Sequence, residues 1–302
     1  MRERVGTGMS EQILTRTETL RQAALAKVRS GEIDEALALY DSALECADNE
    51  EARELITINK ADAMIAAERS GPEVQALPTI VMRRRNAHHT FLAAYALVFK
   101  YRTENELKRA AFYGQLALQI AEEANEPLWK IGALNELGVV YEVDSRFQEA
   151  IECFESALSV IASVRDPVDQ SFSRTAIVQN LSYNKIISGE TDDGIQKMES
   201  ILGDIQNASA RSDALIDLCY GYIDRGEYQK ALQYGEEGLS LADEPRQVRN
   251  SHYLLGEAAY KLGNIELAEY HFNQLASFYP EFRHLKTLLF AIDLRSMVNL
   301  KL

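Results

Sequence analysis

The chain has 302 residues, of which 46% are hydrophobic and 26% charged, and its formal net charge is −14. That balance excludes nonspecific nucleic-acid binding, which needs clustered Lys and Arg to neutralise phosphates. No apolar run approaches the roughly 18 residues of a membrane span, no signal peptide precedes Thr15, and Cys46, Cys153 and Cys219 form no pair motif, so a cytoplasmic, reducing compartment is expected.

Residues 1–16 read as a poorly ordered N-terminal extension. From there a short motif recurs: a turn residue, a polar one, a bulky or β-branched one, two mostly polar ones, then a small one. It appears as Gly31-Glu32-Ile33-Asp34-Glu35-Ala36, Asn105-Glu106-Leu107-Lys108-Arg109-Ala110 and Ser145-Arg146-Phe147-Gln148-Glu149-Ala150. It returns as Gly189-Glu190-Thr191-Asp192-Asp193-Gly194, Gly226-Glu227-Tyr228-Gln229-Lys230-Ala231 and Gly263-Asn264-Ile265-Glu266-Leu267-Ala268. Successive turn residues from 105 to 263 lie 40, 44, 37 and 37 residues apart, whereas 31 to 105 is 74, or two periods. A degenerate second unit, about 52–90, is therefore expected, with Gly71-Pro72 as its turn: Gly ends one helix and Pro opens the next. Pro78 falls inside its second helix and is expected to kink or shorten it.

Both sides of each turn are helical. Leu215, Leu218, Cys219 and Tyr222 recur at i, i+3, i+4, i+7 before Gly226, and Ala231, Gly235, Gly238 and Ala242 form a small-residue stripe after it. Small residues let two helices approach closely, and Gly or Asn in the turn tolerates the left-handed conformation that stops the first helix. Seven helix hairpins result. In the fourth, Gly138 is expected to face Ala150.

These hairpins resemble the tetratricopeptide repeat. The family's small, large and aromatic positions are followed in Leu137-Gly138, Tyr141, Ala150, Phe154 and Ala157, and again in Leu255-Gly256, Ala268, Phe272 and Pro280. The resemblance spans about 17–280 and implies an all-α, right-handed superhelical solenoid of about seven hairpins, with 281–302 as a C-terminal capping or dimerisation helix. That tail is rich in apolar residues, Leu285 to Leu302 among them, more than one cap needs.

The resemblance also places function on a concave groove lined by the first helix of each hairpin. Carried over by position, the lining includes Glu18, Arg21, Gln22 and Leu25, then Asn59 and Asp62 in one of the registers open to the second unit, then Tyr95 and Phe99. It continues through Asn135, Glu136 and Val139, Gln179, Asn180 and Tyr183, Asp213, Asp217 and Tyr220, and Asn250, Tyr253 and Glu257. Asn135, Gln179 and Asn180 offer donors and acceptors suited to the backbone of a bound segment, Tyr95, Tyr183, Tyr220 and Tyr253 offer rigid contact area or else seal helix interfaces, and Asp213, Asp217 and Glu257 favour a basic ligand. The family's carboxylate clamp needs Lys and Arg facing Asn on consecutive helices, and only Arg21 is basic here, so a receptor of that type is disfavoured.

One stretch opposes the acidic trend: Arg83, Arg84 and Arg85, followed by His88, His89, Lys100, Arg102, Lys108 and Arg109. It reads either as a solvated face or as a patch for an acidic partner. Phosphate-loop, zinc-protease, Ser-hydrolase and dinucleotide motifs are absent, and five histidines without a third-ligand pattern suggest no metal. No cofactor and no enzymatic activity are expected. Protein or peptide binding by a scaffold or adaptor is the leading expectation, with a homodimer through the tail as a further one; a regulatory module of a signalling protein is the alternative.

Overall fold

In a computed structural model, the residues described are 16–161, 164 and 167–278, excluding the side chains of 167–173. The N-terminal extension, Pro280 and the C-terminal tail lie outside them. Fourteen helices and no strand occur among the described residues. The chain divides into two compact units between Asn125 and Glu126, at a point that no run of Pro, Gly or Ser marks.

The first unit holds three hairpins: α1 (Arg16–Arg29) with α2 (Ile33–Cys46), α3 (Glu50–Ala66) with α4 (Pro72–Arg83), and α5 (Ala87–Thr103) with α6 (Leu107–Ala124). The second holds four: α7 (Pro127–Val143) with α8 (Phe147–Ile161), α9 (Pro167–Ile187) with α10 (Thr191–Ile201), α11 (Ala208–Asp224) with α12 (Tyr228–Leu241), and α13 (Pro245–Lys261) with α14 (Ile265–Leu275). Within each unit a helix packs on its neighbours in sequence, and the first helices of successive hairpins also pack on one another, the pattern of a helical repeat.

The recurring motif is the turn of six of these hairpins, and its chemistry is uniform. Gly31, Asn105, Ser145, Gly189, Gly226 and Gly263 all have φ between 59° and 96°. Each turn closes the preceding helix with two reverse hydrogen bonds; at Gly226 they are Gly226 N–H to Ile223 O at 3.0 Å and Glu227 N–H to Tyr222 O at 2.9 Å. The small residue ending the motif then makes the first bond of the second helix, as Ala231 N–H does to Glu227 O at 3.1 Å.

The second hairpin departs from this scheme. Glu68, not Gly71, takes the left-handed position (φ 55°), with Arg69 N–H bonded to Met64 O at 2.7 Å. Gly71 is instead the extended N-cap residue before Pro72. The helix continues five residues beyond Pro78 to Arg83.

Small residues set the helix spacing. A Cβ on Gly138 would lie 2.6 Å from the Phe154 ring, and one on Gly256 would lie 2.5 Å from the Phe272 ring. The nearest neighbour of Gly138 is thus Phe154, one turn beyond Ala150, because the aromatic fills the space a missing side chain leaves. Gly235 does the same between α11 and α13, where a Cβ would meet Leu255 at 2.8 Å and Cys219 Sγ at 3.0 Å. Cys219 is accordingly a buried core side chain.

A stacked tyrosine pair occurs in each unit at the same distance from the turn. Tyr101 lies on Tyr113 (centroids 5.5 Å, interplanar 10°) and Tyr222 on Tyr234 (5.3 Å, 10°), four residues before and eight after Asn105 and Gly226. In the second pair both hydroxyls donate to Glu199 Oε1, at 2.5 and 3.0 Å. No described helix is long and apolar enough to cross a membrane.

Candidate functional site: the first helices of the second unit

The helices α7, α9, α11 and α13 lie side by side, α7 against α9, α9 against α11 and α11 against α13. Residues three, four and seven apart on each share a face, which aligns Asn135 and Glu142, Asn180 and Asn184, Asp213, Asp217 and Tyr220, and Asn250, Tyr253 and Glu257. Most of these polar side chains are buried or half-buried, unlike the solvated outer faces of the second helices.

Amides link the helices. Asn180 Nδ2 donates to Asn135 Oδ1 at 3.0 Å, across 45 residues of sequence. Asn184 Nδ2 donates to Glu142 Oε2 at 2.5 Å and to the Asn180 carbonyl at 2.9 Å. Both groups around that nitrogen are acceptors, which fixes the amide's orientation and leaves Asn184 Oδ1 buried without a donor. Gln179 Nε2 makes a long bond, 3.4 Å, to the Ala210 carbonyl. Between α11 and α13, Gln247 Nε2 donates to Ser209 O and Oγ, both at 3.0 Å.

The charged groups are arranged around one phenol. Tyr183 is 1% exposed, so its ring is part of the core. Burial first, then the nearby carboxylates of Glu142 and Asp217, holds its hydroxyl far above the ordinary tyrosine range. Asp217 is 3% exposed and Glu257 is also buried. Burial, reinforced by Glu257, likewise raises the Cys219 thiol. Arg246 balances part of this charge, its Nη2 donating to both oxygens of Asp213 at 2.9 and 3.0 Å. Tyr253 is buried and Tyr220 half-buried.

The sequence did not single out Glu142, Asn184 or Arg246. Helical spacing reaches all three, since Glu142 follows Asn135 by seven, Asn184 follows Asn180 by four and Arg246 precedes Asn250 by four. Their partners on other helices are what spacing does not show.

In the first unit Tyr95 is half-buried on α5, 5.7 Å from the Phe91 ring. Arg21 is held by Glu18 through Nε at 2.7 Å and Nη2 at 2.6 Å, while its Nη1 donates to Asn59 Oδ1 at 3.0 Å. The basic residues fall into two groups. Arg83, Arg84 and Arg85 precede α5, while Arg102 lies at its end and Arg109 on α6, so the 17 residues of α5 put about 25 Å between the groups. Several are already engaged: Arg85 with Glu50, Arg109 with Glu106 at 2.7 Å and over the Tyr101 ring, and Arg102 over Phe99 at 5.0 Å. His88 is exposed, whereas His89 is buried against Glu54 at 2.9 Å. No described group of three His, Cys, Asp or Glu residues could hold a metal ion.

The fold is that of the tetratricopeptide-like helical repeats. RapI in its apo form is similar at 13% identity and TM-score 0.70, over 91% of this chain and 82% of that one. The quorum sensor NprR from B. thuringiensis, also apo, is similar at 15% and 0.67, over 90% and 79%. A Rap protein complexed with competence and sporulation factor is similar at 14% and 0.64, over 88% and 77%. At these identities the likeness is one of fold. No family model and no curated protein matches the sequence.

Proposed function

We propose that the second unit binds a polypeptide segment, extended or helical, on the face formed by α7, α9, α11 and α13, and that the chain acts as a non-enzymatic adaptor. The observation that carries this reading is the row of buried and half-buried amides and carboxylates on one face of the four first helices. Asn135, Asn180, Asp213, Asp217, Asn250 and Glu257 offer donors and acceptors at helical intervals, as recognition of a peptide backbone and its side chains requires. Tyr220 and Tyr253 add rigid contact area, and the excess of carboxylates over Arg246 favours a basic segment.

The fold shared with a quorum sensor and with a Rap protein solved with competence and sporulation factor supports a second reading of the same face. In it the chain is the regulatory module of a signalling protein, and its ligand is a short peptide acting on an output carried in trans.

The test is a capture experiment from native cell extract with wild type beside Asn135→Ala/Asn180→Ala. Removing both members of the amide pair leaves neither one orphaned, so thermal unfolding is expected to shift by less than about 1 kcal/mol. Captured partners are expected to lose roughly ten-fold in affinity, about 1.4 kcal/mol. Identical affinity for both proteins moves the site off this face; a peptide in the low-molecular-weight fraction selects the regulatory reading.

A further inference from the structure

On the side of α9 away from the face formed by the first helices, the second unit has a cleft of about 500 Å³ between α8, α9 and α10. Helical spacing builds it. Leu158 and Ile161 of α8 are three residues apart, Arg174 and Val178 of α9 are four apart, and Gln196 and Lys197 of α10 precede Ser200 by four and three, so each helix turns one face to the cleft. Val178 and Asn180 are two positions apart, about 200° around the helix, which separates the cleft from the Asn180 to Asn135 bond.

The cleft has an apolar floor and a cationic rim. Ile161 and Val178 are buried and Leu158 is half-buried. Arg174 is exposed and makes no hydrogen bond or ion pair with the described residues. Lys197 Nζ stands 3.1 Å from Asp193 Oδ1, and the other oxygen of that aspartate is 3.1 Å from Lys185 Nζ. Ser200 Oγ donates to the Lys197 carbonyl at 2.6 Å, so toward the cleft it is an acceptor only, whereas the exposed Gln196 amide keeps both its donors. No described lining residue is acidic, although the chain has 46 acidic residues against 32 basic ones. Two cations thus meet in one recess of an acidic protein, and one of them has nothing to neutralise it.

We propose that this cleft binds a small organic acid, a monocarboxylate on a short apolar stem. The planar fork of the Arg174 guanidinium matches the two oxygens of a carboxylate, and Lys197 adds a point charge beside it. Gln196 Nε2 supplies a neutral donor. The stem lies on Leu158, Ile161 and Val178, which a bare anion would leave uncovered. With Asp193 offsetting Lys197, the rim carries close to the charge of Arg174 alone, so a monoanion suits it better than a phosphate dianion. The volume lies toward the lower end of the roughly 300 to 1,000 Å³ of small-ligand pockets.

The test titrates the full chain with hexanoate, with hexanamide, which keeps the stem but not the charge, with inorganic phosphate, which has charge but no stem, and with N-acetylleucine, which stands for the end of a polypeptide. The readout is the backbone amide shifts of residues 174–178 and 196–200. Hexanoate is expected to saturate these signals most tightly. Arg174→Gln changes an exposed side chain without a partner, so the melting temperature is expected to stay the same while hexanoate loses about tenfold in affinity, the worth of one hydrogen-bonded charge pair. Gln196→Glu, which adds a carboxylate to the rim, is expected to weaken hexanoate and leave hexanamide unchanged. No saturable response to hexanoate, equal affinity for hexanamide or phosphate, or an Arg174→Gln variant that binds hexanoate as wild type does would overturn the assignment. Tighter binding of N-acetylleucine than of hexanoate would overturn it in favour of a chain end. None of these outcomes touches the reading of the first-helix face, whose residues and test are separate.

Discussion

At the scale of single residues, the positions without a side chain say most about how the helices are spaced. Gly138 and Gly256 are helical glycines against aromatic rings, and an added Cβ at 2.6 and 2.5 Å is closer than carbon atoms approach. Two effects compete when either becomes alanine. Helix propensity favours Ala over Gly by up to about 1 kcal/mol, while overpacking a tight contact costs about 1 to 3 kcal/mol. The ring is confined by the hairpin, so overpacking wins: Gly138→Ala and Gly256→Ala are each expected to lose about 1 kcal/mol in denaturant unfolding. A gain in stability would show that the Phe154 or Phe272 ring moves aside freely.

At the scale of the element, the six turns that carry the motif were legible, while the turn of the second hairpin and the loops between hairpins were not. Six turns need a left-handed residue, and Gly or Asn fills five of those positions. Glu68, Arg84 and Asn125 adopt the same conformation outside the motif, where the cost of a left-handed Glu or Arg is met by tertiary structure that no local pattern reveals. Ser145 is the exception among the six, at φ 59°, so Ser145→Gly is expected to stabilise the fourth hairpin by about 0.5 to 1 kcal/mol, read as a rise in melting temperature. The last hairpin holds a pair that neither spacing nor motif foretold: His252 and His271, buried, with Nδ1 atoms 3.0 Å apart. Burial lowers both pKa values, that of His271 to about 4 with His252 adding to the effect. An imidazole depressed in the folded state takes up its proton more readily when unfolded, so its contribution is complete above about pH 6.5 and lost as the pH falls toward 4. Wild type is therefore expected to lose on the order of 2 kcal/mol more than His271→Gln between pH 7 and 4.5. Parallel pH profiles of the melting temperature would remove the pair from that role.

At the scale of the whole molecule, repetition decides what sequence reveals. The period follows from the spacing of the turns, and the resemblance to the tetratricopeptide repeat, carried over by position, set Asn135, Asn180, Asp217 and Glu257 on one side of their helices without coordinates. Which of them meet could not. The Asn180 to Asn135 and Asn184 to Glu142 bonds span 45 and 42 residues and depend on how closely α9 approaches α7, whereas Tyr183 is buried in the cluster that α9 shares with α10 to α14. Because the described helices of each unit pack on near neighbours in the repeat, stability within a unit is expected to be a sum of local terms. Leu218 is fully buried in the cluster joining α9 to α14, and Leu218→Ala is expected to cost about 2 to 5 kcal/mol there. Hydrogen exchange separates a local from a global loss: amides of α9 to α13 are expected to exchange at least ten-fold faster in the variant, while those of α1 to α3, built around Ala24, Ala36, Tyr40 and Ile56, keep their protection. Uniform acceleration across all fourteen helices would instead mean that the chain unfolds in one cooperative step, and that a ligand on the second unit stabilises the first by the same amount.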